Sequence, residues 1–375
     1  MASKGPDADV IVVGAGFAGT CASHALNSVG CKVLLIDRRF DCPDLFRAEK
    51  IEADQANIMR ELGILQFRAP LRDPIGVIRS FDAVTGAEQD IDTVEQYGIS
   101  YQETVNRLID GLPDEVARVK GRVVGFDRGE VPGVEMDDGS THHARFIVLA
   151  TGGSDRLVNA LGLRRIPDPT LVSMSFGFDI EPIHDTGFGF NGFNYTAPAP
   201  HEDLGDYLTV FRIGERMRAN LFTQLKPGDD RTRTLKGNME AGLRRHFPAL
   251  NRLIGDFQVT GRVQAVPTIY ARLAPASLNG FVAIGDEHQA VSPTTGTGLS
   301  RVLTDVKVLA LSHATRWMHQ KTVSARDVAA FYSDPEKVAS DRHSLGAWMH
   351  YRGRHEVSQS AVRRVRSKLQ LMRLR

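Results

Sequence analysis

The 375-residue sequence contains only three cysteines and two tryptophans, and nowhere does it have 18 consecutive apolar residues. Cys21, Cys31 and Cys42 are an odd, sparse set without metal-ligand spacing. Such a set is typical of reduced packing residues and predicts neither disulfides nor a metal site. Without a long apolar run, a transmembrane helix is not expected. The first nine residues are polar and lack a signal-peptide core, so we expect a cytoplasmic protein.

An excess of one charge is also lacking, since 46 Lys and Arg balance 45 Asp and Glu to a net charge of +1. The chain as a whole therefore has no nucleic-acid signature. The balance hides a basic tail, because residues 351–375 carry eight Lys or Arg and a single acid, Glu356. Apolar residues from Val362 to Met372 recur at helical spacing. We expect a helix that docks on the protein, contacts a membrane surface or an acidic partner, or binds an anionic, carrier-bound substrate.

A glycine-rich turn lies between two apolar stretches near the N-terminus. Residues 10–13 predict a buried strand, which runs into Gly14-Ala15-Gly16-Phe17-Ala18-Gly19 and a helix up to Ser28. In a GxGxxG turn the first glycine permits the tight bend, the second lets a pyrophosphate approach the backbone, and the third lets helix and strand pack closely. Asp37 ends the next predicted strand, where it can accept hydrogen bonds from an adenosine ribose. The turn predicts a dinucleotide without choosing between FAD and NAD(P).

Residues 281–310 form a second signature, in which a predicted buried strand ends in Gly-Asp and is followed by a proline, a GxG turn and a helix. The aspartate can contact a ribitol hydroxyl, while the backbone of the GxG turn meets an isoalloxazine ring. The positive end of the helix then stabilises the negative charge of a reduced flavin. This signature favours FAD over NAD(P). Its positions are Gly285, Asp286, Pro293, Gly296, Gly298 and Leu299.

In these two motifs the sequence resembles the flavoprotein monooxygenases with the para-hydroxybenzoate hydroxylase fold, the group A-like FAD-dependent hydroxylases. The resemblance covers about residues 9–310 and keeps the order of the family's motifs. Arg47 matches the family arginine that reaches the FAD pyrophosphate, and Gln102 matches the position of an Arg or Gln near the cofactor. The resemblance implies that FAD is bound by Gly14, Gly16, Phe17, Ala18, Gly19, Asp37, Arg38, Arg47, Gln102, Gly285, Asp286, Pro293, Gly296, Gly298 and Leu299.

The implied fold class is α/β, with a Rossmann-like FAD-binding domain, an inserted antiparallel-sheet substrate domain and a C-terminal helical segment. We assign residues 1–73, 96–166 and 257–320 to the FAD-binding domain, 74–95 and 167–256 to the substrate domain, and 321–375 to C-terminal helices with the basic tail. Within the inserted domain, residues 187–195 are predicted to form a loop, either a mobile flap or a plain connection. A helix is predicted over residues 233–247.

The family resemblance implies an FAD-dependent monooxygenase that inserts one oxygen atom from O2 into an apolar or aromatic metabolite through a flavin C4a-hydroperoxide. The substrate is expected between the inserted sheet and the flavin. His288, Tyr101 and Tyr195 are candidate proton-handling groups for a phenolic substrate, although no catalytic residue is assigned. The candidate substrate contacts are Met174, Phe176, Phe178, Phe190, Phe193, Tyr195, Phe211 and Phe222.

One departure from the family pattern concerns the reductant. The family's Ala-Asp-Gly motif, which contributes to FAD and NAD(P)H binding, is replaced after residues 146–150 by a loop that starts at Thr151. This leaves NAD(P)H as the direct reductant open, with a partner flavin reductase as the alternative source of electrons. Two other reactions also remain open. One is C=C reduction by an FAD-dependent reductase or dehydrogenase, and the other is halogenation, which the lack of a WxWxI motif disfavours.

Overall fold

The structure is a computed structural model that describes residues 6–47, 49–64, 74–83, 85–184, 187–196, 207–275 and 277–349. Its strands are β1 (Ala8–Val13), β2 (Val33–Asp37), β3 (Lys50–Ile51), β4 (Val77–Asp82), β5 (Ala87–Asp92), β6 (Tyr97–Gly98), β7 (Ala117–Lys120), β8 (Val123–Asp127), β9 (Gly133–Met136), β10 (Thr141–Leu149), β11 (Arg164–Pro182), β12 (Gly192–Thr196), β13 (Tyr207–Ile213), β14 (Arg216–Thr223), β15 (Phe257–Ala274), β16 (Phe281–Ala283) and β17 (Gln289–Ala290).

The helices lie mainly around these strands and at the C-terminal end of the described chain. They are α1 (Phe17–Ser28), α2 (Ala53–Glu61), α3 (Tyr101–Asp110), α4 (Asp155–Ala160), α5 (Asp230–Gly237), α6 (Met239–His246), α7 (Leu250–Ile254), α8 (Gly298–Lys307), α9 (Thr315–Trp317), α10 (Ala325–Tyr332) and α11 (335–349). A π-helical segment, Val308–Ala314, joins α8 to α9. No helix within these described ranges is long and apolar enough to cross a membrane.

A parallel sheet carries the first glycine-rich turn. Strands β7, β2, β1, β10 and β16 lie side by side in that order and run parallel, and β9 and β8 extend the sheet in the antiparallel sense. The central strands are runs of Val, Ile and Leu because both faces of the sheet are covered. Val12 and Leu35 pack toward α1, α3 and α8, whereas Ile11 and Ile36 pack toward α4. The carboxyl ends of β1, β10 and β16 meet at one edge, so the turns that follow them converge.

A second sheet has the strand order β17-β15-β11-β14-β13-β12-β4-β5 and is antiparallel except between β12 and β4. Its side chains alternate between two environments, as the pleat requires. Met174, Phe176 and Phe178 of β11 pack with Leu243 and Phe247 beneath α5–α7. The opposite face looks toward the edge of the parallel sheet. The predicted α/β fold class, with an inserted antiparallel sheet, is confirmed.

The structure differs from the predicted domain boundary at residue 257. We placed residues 257–320 in the FAD-binding domain, but β15 (Phe257–Ala274) pairs with β11 along most of its length and belongs to the antiparallel sheet. The chain returns to the parallel sheet only at β16. The strand escaped the sequence analysis because few of its side chains are fully buried, which leaves a weak apolar pattern.

Two local predictions in the inserted domain also differ from the structure. The helix predicted over residues 233–247 is divided into α5 and α6 at Asn238, whose φ of −150° is not helical and whose side chain caps α6 by accepting from Ala241 N at 3.1 Å. The loop predicted over residues 187–195 ends early, because β12 (Gly192–Thr196) pairs with both β13 and β4. The second half of that segment is therefore a sheet strand and not a flap.

The C-terminal part of the described chain is helical, as predicted. Trp317 and Trp348 are both fully buried, the first beside Phe146 of β10 and the second beside Tyr270 of β15. These contacts attach the C-terminal helices to both sheets. The basic tail, residues 351–375, lies outside the described residues.

Candidate active site

A cavity of about 1470 Å³ lies between the edge of the parallel sheet and the inner face of the antiparallel sheet. Turns after β1, β10 and β16 form one side, and strands β11, β12, β13, β14 and β15 contribute to the other. A cavity of this size has room for a dinucleotide together with a small molecule. The two signatures of the sequence thus meet in one space.

The glycines of the first turn have two roles: two of them permit close packing of the backbone, and one leaves space for a ligand. A Cβ on Gly14 would lie 2.6 Å from the carbonyl oxygen of Ala150, and one on Gly19 would lie 1.8 Å from the carbonyl oxygen of Gly14. Gly14 also has φ of +108°, which L side chains rarely adopt. At Gly16, in contrast, the nearest atom to an added Cβ is the Tyr101 hydroxyl oxygen at 3.9 Å. Gly14 and Gly19 bring backbones together, and Gly16 leaves room for a phosphate at the start of α1.

Asp37 lies where an adenosine ribose is expected. Its Oδ2 accepts from the Ala15 amide at 2.7 Å and its Oδ1 accepts from the Arg39 amide at 3.0 Å. These bonds hold the carboxylate at the end of β2, on the cavity wall beside Phe17, Ala18 and Arg38. The residues at this end of the cavity therefore fit the adenosine part of FAD.

The late motif lines the same cavity as the first turn. Gly296 adopts a left-handed conformation (φ +67°), and no heavy atom lies within 4 Å of a Cβ added at Gly296 or Gly298. Pro293 and Leu299 line the same space. The open backbone at the start of α8 presents the positive end of a helix to the cavity, which suits the electron-rich edge of a flavin.

Asp286 is held at the cavity wall by two arginines. Its Oδ2 is 3.1 Å from Nη1 of Arg47, and its Oδ1 is 3.1 Å from Nη2 of the fully buried Arg301. Gly285 does not line the cavity; its amide donates to Oδ2 of the buried Asp305 at 2.8 Å and so orients the turn. Arg47 lines the cavity from the other side, as expected for a residue near the pyrophosphate.

Gln102 does not line the cavity, and its neighbour Tyr101 does. The Tyr101 hydroxyl oxygen accepts from the Phe17 amide at 3.5 Å, at the N-terminus of α1. Burial raises the pKa of Tyr101 to about 12, so this phenol keeps its proton at neutral pH. The phase of helix α3 explains why Tyr101 and not Gln102 lines the cavity, because successive residues of a helix point about 100° apart.

Glu287 supplies a carboxylate to the loop that lacks the family's acid. Its Oε2 accepts from the Thr151 hydroxyl, from the Gly153 amide at 2.8 Å and from the Ser154 amide at 3.2 Å. Nη2 of Arg165 lies 3.2 Å from its Oε1. The sequence analysis missed Glu287 and Arg165. The signal was present in the Gly-Asp-Glu that follows β16, but only the tertiary structure brings that acid to Thr151.

The aromatic residues proposed as substrate contacts divide between the two faces of the sheet. Met174, Phe176 and Phe178 do not line the cavity, because their positions on β11 alternate with the residues that do. Phe190 and Tyr195 are also absent from the wall, and Tyr195 packs against Phe247 at 4.9 Å between ring centroids. Of the proposed substrate contacts, Phe193, Phe211 and Phe222 border the cavity.

Of the three proton-handling candidates, only Tyr101 lies on the wall of the cavity. His288 is buried behind it, with its ring stacked on Tyr332 at 4.5 Å and Nζ of Lys337 at 3.3 Å from its Nδ1. Burial, aided by the positive charge of Lys337, lowers the pKa of His288 to about 3. His288 is therefore neutral at physiological pH and does not line the cavity.

Polar residues that the sequence analysis did not consider share the wall with the aromatic ones. Ser175 of β11, Asn194 of β12, Thr209 of β13 and Asn220 of β14 line the cavity, and so does Glu49. The alternation of side chains along a strand could have indicated these polar residues. Ser175 lies between Met174 and Phe176 in sequence, and those two side chains pack on the opposite face of β11, beneath α5–α7. A choice based on the size of the aromatic residues, without regard to the alternation along the strand, selected residues on the face of β11 that does not line the cavity.

Comparison with known proteins assigns the family. The profile of the family described as FAD binding domain matches residues 7–316. The chain is 23% identical over 358 residues to squalene monooxygenase of Candida glabrata, across 80% of this chain and 69% of that protein. It is 25% identical over 314 residues to digeranylgeranylglycerophospholipid reductase 1 of Methanopyrus kandleri, across 79% of this chain and 77% of that protein.

Solved structures share the fold at lower identity. The flavin-dependent brominase Bmp2 has a TM-score of 0.71 at 17% identity, over 94% of this chain and 89% of that chain. The p-nitrophenol 4-monooxygenase PnpA from Pseudomonas putida DLL-E4 has a TM-score of 0.66 at 16% identity, over 93% and 89% of the two chains. The predicted family resemblance and the FAD cofactor are confirmed. The chain belongs to the FAD binding domain family, and the protein is an FAD-dependent oxidoreductase.

Proposed function

We propose that the protein is an FAD-dependent monooxygenase that inserts one oxygen atom from O2 into an apolar or aromatic metabolite. The observation that carries the proposal is a pair of aromatic rings on the wall of the cavity. The rings of Tyr207 and Phe222 are stacked with centroids 6.0 Å apart, and both line the cavity that also contains the Gly296 turn. Phe211 and Ile78 extend the apolar part of that wall. These aromatic and apolar side chains suit an apolar or aromatic substrate in the same cavity as the Gly296 turn.

The chain's own part in such a reaction is to hold and orient the reactants. FAD, when bound, supplies the redox and O2 chemistry. The N-terminus of α8 stabilises negative charge at the Gly296 turn. Tyr101, protonated at neutral pH, is a hydrogen-bond donor at the cavity wall, and the sheet behind Phe222 excludes water from the substrate.

Isotope labelling tests this proposal. The FAD-loaded protein, supplied with reductant and a set of planar aromatic compounds under 18O2, is expected to give a product that carries one 18O atom. Oxygen consumption should match product formation. Turnover of the same compounds without O2, or label entering only from water, contradicts the proposal.

The source of electrons is a separate proposal. Thr151 stands in place of the family's acid, and Glu287 is already engaged by Thr151, Gly153, Ser154 and Arg165. We propose on this ground that a partner flavin reductase, rather than NAD(P)H bound directly, reduces the flavin. Stopped-flow measurements without O2 check this. Rapid bleaching of the flavin by NADPH alone, in the presence of substrate, rules the partner out.

A C=C reductase is the second candidate function. The similarity to digeranylgeranylglycerophospholipid reductase 1, over 79% of this chain, favours it. A reductase needs no O2 and adds two hydrogen atoms to its substrate, whereas a monooxygenase adds oxygen. The mass of the product therefore distinguishes the two in the labelling experiment.

A further inference from the structure

At the inner face of the antiparallel sheet lie three buried oxygen atoms without a hydrogen-bond partner among the described residues, two on the sheet and one on the segment before β3. They are Oε2 of Glu49, Oγ of Ser175 and Oδ1 of Asn220. The three residues line the cavity and are only 8%, 0% and 5% exposed. A buried polar atom without a partner is costly, and most such atoms in proteins are satisfied. Three together on a cavity wall point to a ligand group that satisfies them.

The register of the sheet places these side chains beside one another. Ser175 pairs with Phe222, and Gly177, two residues further along β11, pairs with Asn220. Ser175 and Asn220 are therefore diagonal neighbours on one face, a separation of roughly 7–8 Å between Cα atoms. Glu49 is the third neighbour, because its carboxyl lies beside the side chains of Arg218 and Asn220. Burial raises the pKa of this carboxyl, and these two side chains oppose the rise.

The charges of the cluster identify the kind of group that fits. Oε1 of Glu49 is 2.8 Å from Nε of Arg218, so only its other oxygen is unpartnered. Arg218 also pairs with Asp179 at 3.2 Å, and Arg216 pairs with the same aspartate at 3.5 Å. Two acids thus face two arginines and the cluster is neutral overall. Oε2 of Glu49 and Oδ1 of Asn220 are acceptors, whereas the hydroxyl of Ser175 both donates and accepts. In a neutral cluster this set suits a hydroxyl group, which also donates and accepts, better than an ammonium or a carboxylate.

We propose that Glu49, Ser175 and Asn220 form a subsite that binds a hydroxyl group of the substrate, whose ring lies on Phe222 and Tyr207. The inference rests on the proposed function, since it assumes that the substrate occupies this wall. The residues assigned to FAD lie on the parallel-sheet side of the cavity, at Asp37, Asp286 and the Gly296 turn. The hydroxyl subsite therefore narrows the substrate class from apolar or aromatic compounds to hydroxylated ones.

A titration with two ligands of similar shape tests the subsite. 2-Naphthol and 2-methylnaphthalene are added to the FAD-loaded protein, and the flavin absorption change gives each dissociation constant without turnover. The unaltered protein is expected to prefer the naphthol by roughly tenfold, the contribution of one or two buried hydrogen bonds. Asn220→Leu and the milder Ser175→Ala should each bring the ratio of the two constants toward one.

The matched control is Asn194→Leu. Asn194 lines the same face, two strands from Asn220 across Thr209, and none of its atoms is among the buried unpartnered ones. Its substitution should leave the preference intact. The proposal is overturned if the unaltered protein shows no preference, if both subsite variants keep it, or if Asn194→Leu abolishes it equally. A loss of FAD affinity in Asn220→Leu overturns it too, because the cofactor would then be the occupant.

The outcomes separate the subsite from the proposed function. Loss of the naphthol preference in the variants, without 18O in any product, supports the subsite and contradicts the proposed monooxygenase activity. Labelled product together with an unchanged preference in both variants contradicts the subsite and supports the monooxygenase activity.

Discussion

Nζ of Lys337 lies 2.6 Å from Oδ1 of Asp305, and neither side chain has any exposed surface. Oδ2 of the same aspartate accepts the amide of Gly285 at 2.8 Å, so helix α11 is linked through α8 to the Gly-Asp turn of the late motif. Arg301, equally buried, joins the same group through Asp286. A helix outside the family's two motifs thus helps to position a residue assigned to the cofactor.

Substitution of Lys337 should therefore weaken both the fold and the cofactor site. Lys337→Met leaves the Asp305 carboxylate buried with Arg301 at 3.9 Å as its positively charged neighbour, and it removes the partner of Asp341. We expect this to reduce the free energy of unfolding by about 3–5 kcal/mol. FAD affinity should fall because the Asp305 carboxylate, which accepts the Gly285 amide, is no longer held in place by Lys337. Urea unfolding and flavin fluorescence measure the two effects. The double variant Lys337→Met with Asp305→Asn should recover part of the stability, since the fully buried Asp305 charge is removed, while Asp341 still lacks its lysine partner. A double variant as unstable as the sum of the single ones contradicts this account.

Gly19→Ala should prevent FAD binding. Its Cβ would lie 1.8 Å from the carbonyl oxygen of Gly14, a backbone atom that cannot move without displacing α1 from β1. We expect little folded, FAD-loaded protein, measured by the ratio of flavin absorbance to protein absorbance after purification. Gly346→Ala is the control, because its position in α11 is exposed and no atom lies within 4 Å of the added Cβ. It should stabilise the protein by about 0.5–1 kcal/mol, and an equal loss of FAD in both variants would refute the packing argument.

The buried His288 should make stability depend on pH. Its folded pKa is lowered to about 3 by burial and by Lys337, against 6.5 as the reference value. Between these values the unfolded chain binds more protons than the folded one, so the free energy of unfolding falls as the pH drops below about 6.5. The contribution of one such group is about 1.4 kcal/mol per pH unit.

Urea unfolding at several pH values between 6.5 and 4.5 measures this slope. His288→Gln should flatten it, although part remains because burial also lowers the pKa of His24. Asp305 and Asp341 face Lys337 beside His288. Although burial opposes it, Lys337 lowers the pKa of Asp305 away from this window, whereas burial raises the pKa of Asp341 toward it. An acid whose folded pKa is raised stabilises the fold as the pH falls, so Asp341 opposes part of the His288 slope. An unchanged slope in His288→Gln shows that His288 is not buried in its neutral form.

The two faces of the antiparallel sheet should respond differently to substitution. Phe176 is fully buried beneath α5–α7, so Phe176→Ala should cost about 3–5 kcal/mol of stability and leave ligand affinity of the folded protein unchanged. Phe222 lines the cavity and stacks on Tyr207, so Phe222→Ala should weaken the binding of planar ligands, with a smaller loss of stability. Equilibrium unfolding and flavin difference spectra distinguish the two. Weakened binding in Phe176→Ala alone would reverse this assignment.

Local chemistry made much of the cofactor site predictable. Gly14, Gly16 and Gly19 are required by the close approach of backbones, and that requirement is visible in the spacing itself. Asp37 and Asp286 each follow a run of buried-strand residues, which places them at the carboxyl edge of a parallel sheet. The structure brings Asp37, Asp286 and the Gly296 turn to one cavity. Tyr101 lines the cavity and Gln102 does not, because a family position does not report the phase of a helix.

The wall of the cavity formed by the antiparallel sheet and Glu49 was less predictable, since its residues come from separate strands and from the segment before α2. Met174 and Ser175 are adjacent in sequence yet face opposite sides of β11, and which side meets the cavity depends on where α5–α7 pack. Glu49 and Asn220 are 171 positions apart, and no spacing links them.

By itself the sequence determined the α/β class, the order of the two motifs and FAD as the cofactor, because these depend on short-range patterns of glycine, acid and apolar residues. Only the tertiary structure decided which aromatic residues face the cavity, that Glu287 occupies the Thr151 loop, and that Lys337 supports the Gly-Asp turn. These relationships arise from the packing of helices on two sheets, and such packing joins residues that the chain keeps far apart.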